Sequence, residues 1–243
     1  MSPSVDASFT ALPLRVLADA ALAAARSSGA SFADFRFHRL QTSMLAVRDT
    51  AVQAATEAVT TGYAVRVIVD GVWGFAASVL ATPDAAAATA HQAVEIARAL
   101  AGVVAERVER APEPVYHDAI WVSDYDVDPF AVPASEKVGL LLDRSERLLA
   151  RDGVTHTVAS VHCVKENTFY ADTAGTTTTQ QRVRLQPELQ AIAVNADSGG
   201  FETMKSLAPP AGRGWEYVTG GWDFDAEIPV IAEVDGTVAK VVV

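Results

Sequence analysis

Residues 62–78, GYAVRVIVDGVWGFAAS, constrain the fold more than any other stretch of the chain. Two β-rich runs flank Asp70-Gly71, a pair that supplies the positive φ angles of a type I′ two-residue turn. The turn sets the register: Val69 faces Val72, Ile68 faces Trp73 and Arg66 faces Phe75. Further β-like runs lie on either side without helices between them. They read as Phe32 to Leu40, Ser43 to Val47 and a third from Thr56 to Thr61. Adjacent strands without intervening helices make antiparallel sheets, which places the chain in the α+β class and excludes a doubly wound fold.

Three helices are predicted. Leu14, Leu17, Ala18, Ala21, Leu22 and Ala25 form one apolar stripe within Leu12–Ser28, and Gly29 suits the position that ends a helix. A long helix is expected over 83–109. Thr82 caps it, Pro83 sits at the first position, and Asp84 complements the dipole. Its seam runs Ala87, Ala90, Val94, Ala97, Ala101, Val104 and Val108, and its many alanines suit close approach to a sheet. A third helix is capped by Ser135, carries the stripe Val138, Leu141, Leu142, Leu148 and Leu149, and ends at Gly153. Strands follow over Val154–Cys163, Glu166–Tyr170, Thr176–Gln181 and Arg182–Val194, with Ala174-Gly175 as a short loop.

The order of helix followed by paired strands thus occurs twice, from Leu12 and again from Ser135. This predicts a duplicated helix plus antiparallel-sheet unit. The expected organisation is a first α+β unit over 1–110, a linker over 111–133 rich in Pro and acids, a second unit over 134–227, and a divergent or truncated tail over 228–243. That tail holds an Asp235-Gly236 turn and a Val-rich terminal strand, Val241-Val242-Val243.

With 19 basic and 30 acidic side chains the net charge is −11, so a phosphate backbone is repelled and no nucleic-acid partner is expected. No stretch is apolar enough to span a bilayer, no membrane partner is expected, and Met1 to Asp6 lacks a signal-peptide core. A cytoplasmic location is expected. One Cys in 243 residues excludes a disulfide framework.

Candidate chemistry is sparse. The five His are followed by Arg39, Gln92, Asp118, Thr157 and Cys163, so no His-Glu pair exists from which a zincin helix could be drawn. His156 and His162 share a strand face about 20 Å apart, too far for one ion. Asp124, Asp126 and Asp128 alternate like a calcium loop, but Pro129 stands where that loop needs Gly and Ser135 where it needs Glu. Asp223, Asp225 and Glu227 also alternate and suit a charged sheet edge. Cys163 has no neighbouring base and reads as a small core residue. No catalytic residue, metal ligand or cofactor is therefore assigned. The residues singled out lie in the hairpin. Gly62, Gly71 and Gly74 serve backbone geometry, and Trp73 and Phe75 fill a core on the simplest reading. The alternative is an interface, with aromatic anchors around Arg66 docking a missing half, a partner subunit or a peptide strand.

Four segments, in order, resemble the N-terminal region of the TldD/PmbA metallopeptidase family. They are Gly29–Arg36, Gly62–Phe75, the pair Asp128-Pro129-Phe130 and Glu136-Lys137-Val138, and Leu207–Glu216. The resemblance covers roughly residues 12 to 227. It implies a zinc peptidase acting on unfolded or extended peptides, with subunits that pair. It also implies a His-Glu-x-x-x-His zinc motif in a C-terminal half beyond the matching segments. The expectation is thus the non-zinc portion of such an enzyme, inactive alone, forming a homo-oligomer or pairing with a related subunit. The alternative is a non-catalytic peptide-binding or scaffolding subunit of a protease complex.

Overall fold

The computed structural model describes residues 4–196, 199–206 and 210–221. In chain order the elements are α1 (Ala7–Thr10), α2 (Leu14–Ser27), β1 (Phe32–Arg48), β2 (Ala51–Val69), β3 (Val72–Ser78), α3 (Pro83–Leu100), β4 (Ala119–Val122), α4 (Ala134–Leu149), β5 (His156–Asp172), β6 (Thr177–Val194) and β7 (Phe201–Lys205). A π-helical turn, Tyr217–Gly221, follows. The strands form one sheet in the order β3-β2-β1-β5-β6-β4, with β7 also on β6. Every pairing is antiparallel except β4 on β6.

The Asp70-Gly71 hairpin has the register expected of it, and Asp70 and Gly71 take φ of 50° and 73°. The duplication is visible as α2-β1-β2-β3 and α4-β5-β6-β7. Each helix precedes a long hairpin, and the two units meet where β1 pairs with β5 from Asp34↔Asp172 to Arg48↔Val158. The 111–133 segment lays β4 along the start of β6.

Two expectations are corrected. The short strands merge into strands of 17 to 19 residues. The breaks expected near Gln41, Lys165 and Gln181 are absent: Lys165 and Gln181 face a buried polar seam rather than marking loops, and Gln41 donates to Glu57 Oε1 on β2 at 2.7 Å. The helix expected over 83–109 stops at Leu100. Beyond it there is no sheet to cover, and the chain turns across the hairpin tip, where the Val108 amide donates to the Gly71 carbonyl at 2.7 Å. The buried face is Ala86, Ala90, Ala93, Val94 and Ala97, while Val103 is exposed.

Alternate residues of β1 point to the helices. Ala33, Phe35 and Phe37 enter a first core with Leu17, Val65, Val67 and Val94. Leu45 and Val47 enter a second core with Leu141, Leu148, Val161, Leu185 and Trp215. Between the cores lies the polar seam. Arg39 donates to Asp6 Oδ2 and to Asn167 Oδ1, both at 2.7 Å. Asn167 donates to Gln181 Oε1 at 2.7 Å, and Gln181 donates to the Tyr125 hydroxyl at 2.7 Å and the Ser4 carbonyl at 3.0 Å. The Lys165 ammonium is paired with Asp128 and lies 3.4 Å from Asp6. Asn167, Gln181 and Lys165 are all buried, so each needs these partners.

Cys163 is buried in the second core, where burial pushes its thiol up to about 11 against the opposing charge of Lys137. Gly74 marks the closest approach of α3 to the sheet: a Cβ there would stand 1.9 Å from the Ala93 carbonyl oxygen and 2.9 Å from the Ala97 Cβ.

Gly74→Ala is expected to destabilise the fold by about 3 kcal/mol, because backbone rather than a flexible side chain must move. Gly102→Ala, with nothing within 4 Å of the added carbon, should cost far less in the same denaturant titration. For Cys163, the expected outcome is negligible reaction with a thiol reagent at pH 8 in native protein and complete reaction in denaturant.

Candidate functional site

The strand pleat sends every second side chain away from the helices, onto a face that no helix covers among the described residues. β1 contributes Asp34, Arg36 and His38 to it. By register, β5 contributes Glu166, Thr168, Tyr170 and Asp172, β2 contributes Gly62 and Arg66, and β6 contributes Thr178, Gln180 and Arg184. Gly74 and Ala76 face α3, so Trp73 and Phe75 must point the other way. They are 37% and 55% exposed and do not fill a core. Trp73 instead stands edge-on to Phe32, with ring centroids 6.1 Å apart, and carries the Arg66 guanidinium 5.3 Å from its own ring centroid.

Arg66 and Asp34 are direct cross-strand partners. The guanidinium donates to Asp34 Oδ2 from Nε at 2.9 Å and from Nη2 at 2.6 Å. This pairing is what allows Asp34 to be 1% exposed. Hydrogen bonding to Asp34 raises the Arg66 pKa further, against the opposing effect of burial. Asp172 lies opposite Asp34 on the other side of β1. Its Oδ1 accepts from the Ala174 and Thr176 amides at 2.9 and 3.0 Å, which fixes the β5–β6 turn. Its Oδ2 accepts from the Tyr170 hydroxyl at 3.0 Å. Burial, followed by the charges of Asp34 and Asp172, pushes the Tyr170 phenol well above its ordinary range, so it serves as a hydrogen-bond donor at neutral pH.

A second row crosses the same face. Glu166 accepts from Arg184 at 2.7 Å, and its other oxygen is 3.2 Å from His38 Nε2. Two cavities open on either side of Arg36. One, of about 440 Å³, is walled by Tyr170, Asp172, Glu166 and Gln180 and overhung by Glu113, Pro114 and Tyr116. The other, of about 490 Å³, lies between His38, Thr60, Gly62, Ala64 and Ala77. Gly62 belongs to this second wall, and a Cβ on it would come 3.3 Å from the Ser78 carbonyl oxygen. Of the hairpin residues named from sequence, Gly62, Arg66, Trp73 and Phe75 therefore share the open face, while Gly71 and Gly74 shape the hairpin against Arg107 and α3. Sequence reasoning missed Asp34, Arg36, His38, Tyr170 and Asp172. Their alternation with apolar residues at Ala33, Phe35, Phe37, Phe169 and Ala171 is a period-two signal that puts them together on one face.

The arrangement can bind and orient polar groups. It does not fit a catalytic zinc ion. Among the described residues no three His, Cys, Asp or Glu side chains converge. His38 faces Glu166, His91 Nδ1 is 2.9 Å from Ser28 Oγ, His156 Nδ1 is 3.1 Å from Asp49 Oδ2, and His117 and His162 are exposed. The three alternating aspartates also diverge: Asp124 pairs with Arg213 at 2.6 Å, Asp126 is exposed, and Asp128 accepts from the Phe130 amide at 2.9 Å and pairs with Lys165. Asp223, Asp225, Glu227, the 228–243 tail and residues 207–209 of the last resembling segment lie outside the described residues. Of the remainder of that segment, Gly214 and Trp215 pack tightly while Pro210, Gly212 and Arg213 are exposed. A Cβ on Gly214 would be 2.2 Å from the Val127 carbonyl oxygen, and Trp215 is buried in the second core. Burial raises the Glu216 carboxyl, but amides including Val127 and Gly214 donate to it and leave its pKa net lowered. No described helix is long and apolar enough to cross a membrane.

Residues 33–97 match the family model for PmbA/TldA metallopeptidase domain 1. No curated protein matches the sequence. Among solved structures, a candidate modulator of DNA gyrase from Bacteroides thetaiotaomicron superposes with a TM-score of 0.62 at 14% identity, covering 82% of this chain and 45% of that one. A second candidate modulator of DNA gyrase, from Thermotoga maritima, gives 0.62 at 16% identity over 80% of this chain and 42% of that one. TldE from Thermococcus kodakarensis aligns at 0.45 with 13% identity, over 76% and 42%. This chain spans less than half the length of each of these proteins. The first two share its fold, with mixed helices on an antiparallel sheet, and the matched segment runs from β1 through the hairpin into α3. Residues 33–97 of the chain are thus similar to the first domain of the PmbA/TldA group, and the chain shares the fold of the two gyrase-modulator structures.

Proposed function

We propose that this chain is the N-terminal, non-zinc portion of a TldD/PmbA-type metallopeptidase acting on unfolded peptides, with the hydrolytic zinc carried by a second half. The observation that supports this reading most is the sidedness of the sheet. Over the two cores one face is covered by helices, and the other presents paired charges, an oriented phenol and two cavities around Arg36. Such a face suits contact with the amides and carboxylates of an extended chain, which are satisfied by donors and acceptors placed at strand spacing. Its residues supply binding and orientation. Tyr170 donates, Arg36 attracts negative charge, and Asp34 and Asp172 hold their neighbours in place. A second half would provide both the metal and the wall that excludes water.

The test compares the pure 243-residue chain with the same chain joined to a zinc-bearing half of a family member. The chain alone is expected to hold no stoichiometric zinc and to leave an unfolded peptide intact. The joined protein should cleave it in a chelator-sensitive manner. Arg36→Ala in the joined protein should raise KM by roughly tenfold with little change in kcat, the signature of lost ground-state binding. Stoichiometric zinc together with chelator-sensitive hydrolysis by the chain alone overturns the proposal.

A further inference from the structure

The segment between α3 and β4 crosses the open face. It leaves the helix side at the hairpin tip, where the Val108 amide donates to the Gly71 carbonyl at 2.7 Å. It reaches β6 where the Thr177 amide donates to the Tyr116 carbonyl, also at 2.7 Å. Gly71, Phe32, Asp172 and Thr177 mark one end of the sheet in the order β3-β2-β1-β5-β6, so 108–116 passes over that end from one side to the other. Along the way the Arg110 guanidinium lies over the Phe32 ring, 3.6 Å from its centroid, and Glu113 accepts from Arg110 at 3.2 Å.

Between these fixed points the segment is nearly unattached. Residues 109–115 are all exposed, and among the described residues no backbone group of 111–115 bonds to the sheet. Pro112 and Pro114 have no amide to offer a strand. The space beneath is hollow. Besides the 440 Å³ cavity, two more of about 240 and 290 Å³ run under the segment, and Glu113 lines all three. Phe32, Arg66, Trp73, Tyr170, Asp172 and Thr176 line them from the sheet side. The segment is also longer than its path. Four strand spacings are ~19 Å, whereas nine extended residues reach ~30 Å. The middle can therefore rise without either anchor moving.

We propose that 109–115 is a displaceable strap: its middle lifts off the sheet while Val108 and Tyr116 stay anchored, and the three cavities become one groove across the end of the sheet. Arg110 on Phe32 is the latch. A guanidinium held against a ring outweighs an exposed ion pair, and Glu113 is 68% exposed. A segment with so few buried contacts opens at a fraction of the cost of global unfolding. With the strap down, an extended chain laid across Arg36 meets Glu113 and Pro114. With it up, that chain reaches Tyr170, Thr176 and the Phe32 and Trp73 rings. The strap regulates the face described above, and only the identity of the ligand rests on the peptide reading.

Access and binding test it separately. Thr176→Cys places a thiol among the residues lining two of the cavities, at a position 9% exposed. Adding Arg110→Ala is expected to speed its reaction with a thiol reagent by ~10-fold, while Cys163, buried in the second core, stays inert. Equal rates with and without Arg110 overturn the proposal. So does a Cys163 that reacts in step, since the whole fold is then opening. For binding, the probe is a fluorescein-labelled unfolded peptide. Arg110→Ala should tighten it by ~10-fold, because apparent affinity scales with the open fraction. Pro112→Cys and Ala174→Cys, which line one cavity, are joined by a cleavable bis-maleimide, and the closed protein should lose the peptide and regain it on cleavage. Peptide binding that ignores both changes overturns the strap as a gate. A gated thiol in a protein that binds no peptide upholds the strap and counts against the peptide reading alone.

Discussion

The pairing of β1 with β5 is the constraint on which the rest of the structure depends. It runs in one register from Asp34 to Arg48 and joins two helix-and-hairpin units into a continuous sheet. Because the side-chain period of a strand is two, that register decides at once which residues of four strands meet the helices and which remain outside. A slip of one residue would send Phe35, Phe37, Leu45 and Val47 to the open face and drive Arg36 and His38 into the cores. The apolar area that such a slip would expose makes this register the only one compatible with both cores.

Having two cores rather than one makes the polar seam necessary. α2 and α3 cover one end of the sheet and α4 the other, and the strands are too long for either group to cover alone. Between them the sheet is still buried, with the Phe9 ring against Arg39 and the Phe130 ring against Lys165. It is filled there by Arg39, Asn167, Gln181 and Lys165, joined to Asp6, Tyr125 and Asp128. A buried charge left without its partner costs several kcal/mol, so the members of such a network hold one another in place. The seam also ties together parts of the chain that are distant in sequence. Asp6 belongs to the segment before α1, and Tyr125 and Asp128 to the segment after β4. Each reaches the centre of the sheet because a polar group there requires it.

How much of this was legible in the sequence depends on which force acted locally. The β2–β3 hairpin was readable to the residue because Asp70-Gly71 encodes its own dihedrals. α2 and α4 were readable from stripes that face a single core. The lengths of the strands were not, since Gln41-Thr42 and Lys165 look like breaks to any reading that equates polarity with solvent. The polarity of Lys165 answers a seam assembled from both units, and no local window contains it. The end of α3 was hidden for the opposite reason. Alanine and valine continue at helical spacing past Leu100, so the pattern persists after the sheet beneath it has ended. Trp73 and Phe75 were read first as core, because bulk and apolarity normally imply burial. The glycine between them settles the matter, since α3 lies too close over Gly74 for large neighbours to point the same way.

The same close approach explains why the aromatic and charged side chains of the hairpin lie on the far side. Where Ala93 and Ala97 of α3 rest on Gly74 of β3, only small side chains fit beneath the helix, so Trp73 and Phe75 of β3 are displaced to the open face beside Arg66. There Arg66 does three things at once. It neutralises Asp34, covers the Trp73 ring, and helps define the polarity around Tyr170. A face intended for a permanent apolar contact would be depleted of such charges at its centre. This one keeps them, paired and partly desolvated, around two cavities that share Arg36. Preorganised donors and acceptors of this kind lose little entropy on meeting a polar ligand. The physical character of the surface is therefore that of a preorganised polar face rather than that of one half of a hydrophobic core.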